Sequence, residues 1–284
     1  MERSRLQEQQ PSRTALGAAG HRAAHQVFEE GRIFKDPLAL QILGEHRDAV
    51  LADPRARRRA VGLRLFIALR SAIAERALAS GVETRGVTQA VILGAGLDTF
   101  ACRNPFEGRL KVFEVDHPAT QAWKRRRLAE TGIAIPDSMV FTPVDLEREP
   151  LMEALTAAGF DPDRRTFFVW LGVTYYLTRE AILTTLGVIG GLPGGGEVAF
   201  DYGEPPDRMA WLWRRGHRRL ARRVAEAGEP FVSSFEPKEL HAALRERGFT
   251  TIDDRGPREL FGRVSKTPTW LLPKRGAHVC VART

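Results

Sequence analysis

Gly94 and Gly96 stand in the run Val91-Ile92-Leu93-Gly94-Ala95-Gly96-Leu97-Asp98-Thr99, and Asp116 follows 22 positions after Gly94. Two glycines spaced by one residue let a backbone pass close to a ligand with no side chain in the way. An acid about 20 residues further on, at the end of a second β-type run, is placed to accept hydrogen bonds from a ribose. Here that run is Leu110 to Asp116, stopped by Pro118. A dinucleotide site would want a third glycine at position 99, and this chain has Thr99. Close helix packing under a pyrophosphate is therefore not favoured, and a cofactor with a ribose but no pyrophosphate fits better.

These residues need a parallel strand, a tight turn and a second strand to hold them. The apolar residues before Gly94 read as a buried parallel strand, about 89 to 94. A helix is expected to start near Leu97 to Thr99 and to present free backbone N–H groups. The second strand covers 110 to 116, and a basic helix follows from Pro118 to Thr131. Met139 to Pro143, Arg165 to Leu171 and Glu197 to Tyr202 read as further strands. Helices at Leu151 to Gly159 and Thr178 to Gly190 separate them, with Thr178 as an N-cap. Strands alternating with helices imply a parallel sheet covered on both faces.

A helical cap precedes this core. It comprises a helix from Arg13 to Glu30, a short helix opened by Pro37 and running to Leu43, and a long helix over 55 to 80 stopped by Gly81. After Tyr202 the pattern changes. Asp207 to Ala227 reads as one helix, inserted as a lid on the substrate side. Glu236-Pro237 opens another, to Arg247. Thr250 to Asp254 and Ala277 to Ala282 are the last two strands, joined by a long proline-containing connection. The expected organisation is a mobile segment 1–12 and a single domain 13–284. The domain divides into cap (13–81), cofactor-binding core (89–202), lid (203–235) and C-terminal portion (236–284).

Composition narrows the setting. The 284 residues are 43% hydrophobic, ordinary for a globular protein. No apolar run reaches the ~18 to 20 residues needed to span a bilayer. The first residues are polar, without the apolar stretch of a signal segment. Cys102 and Cys280 imply no disulfide framework, so a reduced, cytoplasmic location is expected. The formal charge is +8, with an isoelectric point near 10.0. Its arginine clusters, Arg55 to Arg59, Lys124 to Arg127 and Arg214 to Arg223, fall on expected helices, where a charged outer face is the ordinary reading. Nucleic acid is thus a disfavoured partner, and a monomer is expected. Cys102 has no base beside it and reads as packing. No Cys/His spacing suggests a metal site.

Four motifs, in order, resemble the leucine carboxyl methyltransferase family, and within it the bacterial branch of S-adenosylmethionine-dependent methyltransferases. They are Leu93 to Thr99, Phe113 to Pro118, Val144-Asp145-Leu146 and Trp170 to Leu177. Ser12 to Ala15 and Phe34 to Ala39 are similar to that branch as well. The resemblance implies a class I methyltransferase (Rossmann-like) seven-stranded sheet with the last strand antiparallel, and S-adenosylmethionine as cofactor. It implies that Gly94 and Gly96 approach the cofactor's amino-acid part and that Asp116 holds the ribose, with Glu114 a weaker second candidate. Asp145 and Leu146 match the adenine-contacting pair. Arg64 resembles a cap-helix arginine that pairs with the cofactor carboxylate in a two-point fork, and Arg22 is a similar candidate. Leu171 stands where the family often has glutamate, which removes one polar contact to the methionine part. Tyr176 matches an aromatic residue at the floor of the site and is the candidate catalytic residue.

The acceptor is expected to be a small molecule or a carboxylate, methylated on oxygen. A carboxylate is already ionised at neutral pH and needs only cations to place it, whereas a hydroxyl needs a base. Trp170 to Thr178 contains no His, Asp or Glu, and the lid carries many arginines but a single histidine, His217. That balance favours an anionic acceptor held by lid arginines, with Tyr176 as hydrogen-bond donor. Two other readings compete. An NAD(P)-binding oxidoreductase is opposed by Thr99 and by the lack of a Tyr-x-x-x-Lys pair. A nucleic-acid-binding protein with a non-catalytic core would bind with a steep salt dependence.

Overall fold

In the computed structural model, residues 12–52, 60–145, 149–226, 228–264 and 268–284 are described. Seven strands form one sheet in the order β3-β2-β1-β4-β5-β7-β6. β1 (Gln89–Leu93), β2 (Lys111–Asp116), β3 (Met139–Pro143), β4 (Thr166–Trp170) and β5 (Gly196–Gly203) run parallel. β7 (Ala277–Arg283) runs antiparallel to β5 and to the edge strand β6 (Thr251–Arg255). The chain order reverses between β1 and β4, which opens a crevice at the carboxyl ends of the strands.

Alternate residues of each strand feed two apolar layers. Val91, Leu93, Phe113, Val115, Phe168 and Trp170 face one, with Ile182, Leu186, Leu240 and Leu244 from the covering helices. Ala90, Ile92, Val112, Phe167 and Val169 face the other, against Ala74, Leu78 and Leu128. A sheet buried on both faces explains why β1 and β4 are continuous apolar runs rather than alternating ones.

The helices are α1 (Arg13–Phe28), α2 (His46–Ala52), α3 (Val61–Thr84), α4 (Pro118–Glu130), α5 (Leu151–Ala157), α6 (Arg179–Gly190), α7 (Trp211–Glu226), α8 (Pro237–Glu246) and α9 (Pro257–Gly262). Their starts follow local chemistry. Ser12 Oγ accepts the Ala15 N–H at 3.1 Å and caps α1. Thr178 Oγ1 does the same for α6, accepting from Ala181 N at 3.2 Å. Pro118 opens α4 at the position where a missing N–H costs nothing.

Several sequence expectations are corrected. The connection after β1 holds only a 3-10 turn, Ala101–Arg103, where an α-helix was expected to begin near Leu97. Its length is taken up by a polar network: Thr99 Oγ1 bonds Asp36, and Asp98 Oδ1 accepts from Phe100 N. Residues 37–45 form turns rather than a helix, with Gly44 left-handed (φ 54°). Gly81 does not stop α3, which continues to Thr84 and ends ahead of Gly86 (φ 73°). Gly81 instead permits close packing, since a Cβ there would lie 2.9 Å from Val87 Cγ2. The lid segment is a 3-10 turn, Pro206–Arg208, and then α7, rather than one helix.

Candidate active site

A cavity of about 830 Å³ lies at the carboxyl edge of the five parallel strands. Its floor is the turn Gly94 to Asp98 after β1, Asp116 after β2, Val144-Asp145 after β3 and Leu171 to Leu177 after β4. α1 and α3 close one side; α7 and the segment behind it close another.

The glycine turn is shaped from both sides. Gly94 (φ 66°) and Gly96 (φ 51°) are left-handed, a conformation that disfavours side chains. A Cβ on Gly94 would come 2.4 Å from Val173, and one on Gly96 would come 2.9 Å from Ala15. The Asp116 carboxylate ties this turn to β2: Oδ2 accepts Gly96 N–H at 2.5 Å and Oδ1 accepts His117 N–H at 2.7 Å. Burial raises the Asp116 pKa, and these two N–H donors pull it back. Each oxygen keeps a lone pair for a further donor.

Asp98 is a second acid on the cavity wall, one that sequence reasoning did not single out. Burial works to raise its pKa, but the charges of Arg22, Lys124 and Arg103 outweigh that and hold it below the usual carboxylate range.

Six of the expected site residues line the cavity: Gly94, Gly96, Asp116, Asp145, Leu171 and Tyr176. Leu146 lies outside the described residues. Arg64 is directed elsewhere. Its guanidinium grips Glu29 of α1's C-terminal end, with Nε and Nη2 at 2.8 and 2.6 Å from the two oxygens, and it does not line the cavity. Glu114 is also absent from the wall: it is buried behind β2 against Lys124.

From the cap, Arg13, Arg22 and Arg70 line the cavity, Arg13 being exposed and the other two tied to the core. Arg22 Nη2 donates to Leu97 O at 2.5 Å, and Nε lies 3.3 Å from Asp36. Arg70 Nη1 donates to the buried Asp201 at 2.7 Å, while its Nε is buried without a hydrogen-bond partner. Asp201 also accepts Gly172 N–H at 2.6 Å, so Arg70 and the loop after β4 share one anchor. A sequence signal for Arg70 was present. Leu63, Phe66, Ile67 and Arg70 follow the i, i+3, i+4, i+7 spacing of one helix face, all four line the cavity, and Arg64 falls off that stripe.

The remaining wall is aromatic and apolar. Burial, then the Glu229 charge, pushes the Tyr176 hydroxyl up to about 12. Thr14 Oγ1 donates to Glu229 across the mouth. Burial, then the charges of Arg64 and Arg70, pushes His21 down to about 4, and burial lowers His217. The expected cation-lined lid is not found. Arg215, Arg218, Arg219 and Arg222 are exposed, and of the arginines on α7 only Arg223 lines the cavity, itself exposed.

A parallel sheet with a reversed seventh strand, a glycine turn after the first strand and an acid at the end of the second make up the class I methyltransferase fold. The leucine carboxyl methyltransferase family model matches residues 15–190, and the chain belongs to that family. It is 36% identical over 177 residues to "Putative S-adenosyl-L-methionine-dependent methyltransferase YktD" of Bacillus subtilis, a match covering 62% of this chain and 58% of that protein. A relative of like name from Frankia alni is 34% identical, over 64% of this chain and 65% of its own length. One from Mycolicibacterium paratuberculosis is 30% identical over 262 residues, 83% of this chain and 82% of its own. Among solved structures, a "putative methyltransferase from Thermobifida fusca YX" shares the fold with a TM-score of 0.55 at 15% identity, covering 97% of this chain and 96% of that one.

Proposed function

We propose that the protein binds S-adenosylmethionine at this strand edge and transfers its methyl group to an oxygen of a small-molecule or carboxylate acceptor held in the same cavity. The single observation that carries this reading is a continuous cavity of about 830 Å³, running from Asp116 to the lid. That volume falls inside the ~300 to 1,000 Å³ range of small-molecule sites.

The residues present fit the cofactor. In this reading Asp116 accepts from the ribose hydroxyls, and Asp145 with Leu146 takes the adenine. The turn at Gly94 and Gly96 and the backbone at Leu171 lie along the amino-acid part. Asp98 offers a carboxylate to its ammonium. Arg70, with its buried Nε unsatisfied, replaces Arg64 as the guanidinium for its carboxylate. Bound here, the cofactor supplies a methyl group already activated on a cationic sulfur. The protein's own work is then to orient and desolvate the partners. Tyr176, kept protonated, serves as a hydrogen-bond donor on the acceptor side.

Calorimetry with S-adenosylmethionine, S-adenosylhomocysteine and NAD tests the reading. The first two bind and NAD does not; a folded protein giving no heat with either sulfur ligand would refute it. No helix among the described residues is long and apolar enough to cross a membrane.

A further inference from the structure

The acceptor side of the cavity is built from rings. Tyr175 and Tyr176, from the loop after β4, stand with ring centroids 6.5 Å apart. Phe231, from the segment that follows α7, lies 5.5 Å from Tyr175 and 5.7 Å from Tyr176, tilted by 42° and 36°. His217 of α7 extends the row, 5.7 Å from Phe231. All four line the cavity. Rings from three separate chain segments thus share one wall, and the lid adds Met209, Leu220 and Val224 to the lining. Such spacings are those of offset and tilted aromatic pairs.

Two polar features distinguish what this wall accepts. Tyr175 lines the cavity, and its buried Oη, close to the charges of Asp201 and Arg70, has no hydrogen-bond partner. A buried hydroxyl is costly unless a ligand completes it. On the lid side of the rings the charge is negative: Glu229, fixed by Thr14, acts on Tyr176 more strongly than Arg70 does from the cap side. A carboxylate acceptor would meet that charge with only one lid arginine, the exposed Arg223, on the wall to offset it. A neutral planar ring would meet no such opposition.

We propose that Tyr175, Tyr176, Phe231 and His217 form an aromatic slot for a planar ring bearing a hydroxyl group, and that this hydroxyl is the methyl acceptor. The proposal rests on the methyltransferase reading above and narrows its substrate class. On methylation the ring oxygen bonds to the methyl carbon as the carbon–sulfur bond breaks. The sulfur keeps that electron pair, and the hydroxyl proton passes to the neutral His217 imidazole and on to water. Tyr175 Oη supplies the hydrogen bond that orients the ring.

The test is equilibrium binding to the full chain saturated with S-adenosylhomocysteine. The ring probes are 7-hydroxycoumarin and 2-naphthol; the chain probes are leucine, hexanoate and hexylamine. The ring probes bind at least tenfold more tightly than the chain probes. Phe231→Leu lowers ring affinity about tenfold, Phe231→Tyr restores it, and S-adenosylhomocysteine affinity stays within twofold in both, which shows that the fold is intact. Chain probes binding as tightly as ring probes, no ring binding, or ring affinity unaltered in a Phe231→Leu protein that still holds S-adenosylhomocysteine would each overturn the slot while leaving the methyltransferase reading standing. Absence of S-adenosylhomocysteine binding would instead sink the reading beneath it.

Discussion

The Lys124 ammonium meets the Glu114 carboxylate at 2.5 Å, with both side chains 1% exposed. The same Nζ donates to Asp98 O at 2.6 Å. One buried cation therefore joins α4, β2 and the turn that carries the glycines. Burial pushes Glu114 up to about 7, against the pull of Lys124. Removing one partner of a buried pair strands the other, at about 3 to 5 kcal/mol. Lys124→Met is expected to cost that much in denaturant unfolding, and more at pH 8 than at pH 5, because protonation neutralises the stranded Glu114 at low pH. The double change Glu114→Gln with Lys124→Met recovers most of the loss. Equal costs at both pH values would refute the argument.

Asp116 holds Gly96 and is read as the ribose acceptor. Asp116→Ala is expected to weaken S-adenosylhomocysteine by about 1 to 3 kcal/mol, roughly 5- to 150-fold, since it leaves hydroxyls and a turn N–H poorly paired. Asp116→Asn loses less, as its carbonyl oxygen still accepts. Calorimetry reads both, and an unchanged affinity in the Ala protein would remove Asp116 from the site.

The strand edge was legible in the sequence because its signals are local. An apolar run, two glycines at a turn and an acid closing the next strand need no knowledge of distant residues. Asp116 was found that way, and Asp145 came from the motif after β3. Arg64 and Arg70 could not be separated by residue type, since both are arginines of one helix. The helix stripe of Leu63, Phe66 and Ile67 favours Arg70, and the partners complete the separation: Glu29 meets Arg64, and Asp201, 131 positions away in sequence, meets Arg70. The ring wall was invisible for a similar reason. Tyr175 and Phe231 lie 56 positions apart and are brought together by tertiary bonds such as Val232 N to Tyr175 O at 2.7 Å. Glu114 misled because strand periodicity gives a face, not a partner.

The two arginines predict different losses. Arg70→Leu is expected to weaken S-adenosylhomocysteine at least tenfold while changing adenosine by less than twofold, since adenosine has no carboxylate. Arg64→Leu leaves Glu29 with His25 as its partner at 3.1 Å, lowers the melting temperature, and changes both ligands alike. A selective loss in the Arg64 variant would return the carboxylate to that residue.

His21 makes stability depend on pH. Its imidazole has a pKa of about 4 in the fold against an ordinary 6.5, through burial and the charges of Arg64 and Arg70. Between those values the unfolded chain binds the proton and the folded chain does not. Stability is therefore full above pH 6.5 and falls as the pH drops toward 4. From pH 7 to pH 5 the His21 share of that fall is about 1 to 2 kcal/mol. His21→Asn should flatten the slope by this amount in paired melts. An identical slope in wild type and variant would show that His21 is not the group responsible.

A side-chain bond joins the two sides of the cavity between α1 and the segment after α7. Thr14 Oγ1, in the first turn of α1, donates to Glu229 just behind α7. Glu229 is the near end of a segment fastened to the core: Val232 N bonds Tyr175 O, Ser233 Oγ bonds Thr174 O at 2.8 Å, and Phe235 N bonds Gly203 O at 3.0 Å. Among the described residues, the lid helix shows exposed arginines along its outer side and Val224 buried near its end. Segments with few buried contacts open at low free energy. Cutting the Thr14–Glu229 bond should thus favour the open mouth without disturbing the sheet. A hydrogen bond of this kind contributes about 1 kcal/mol, or roughly fivefold in an opening equilibrium. Thr14→Val is expected to speed S-adenosylhomocysteine release about fivefold in stopped-flow, with its melting temperature within a degree or two of wild type. Thr14→Ser keeps the hydroxyl and should release at the wild-type rate. Equal release from the Val and Ser proteins would mean that this bond does not gate the cavity.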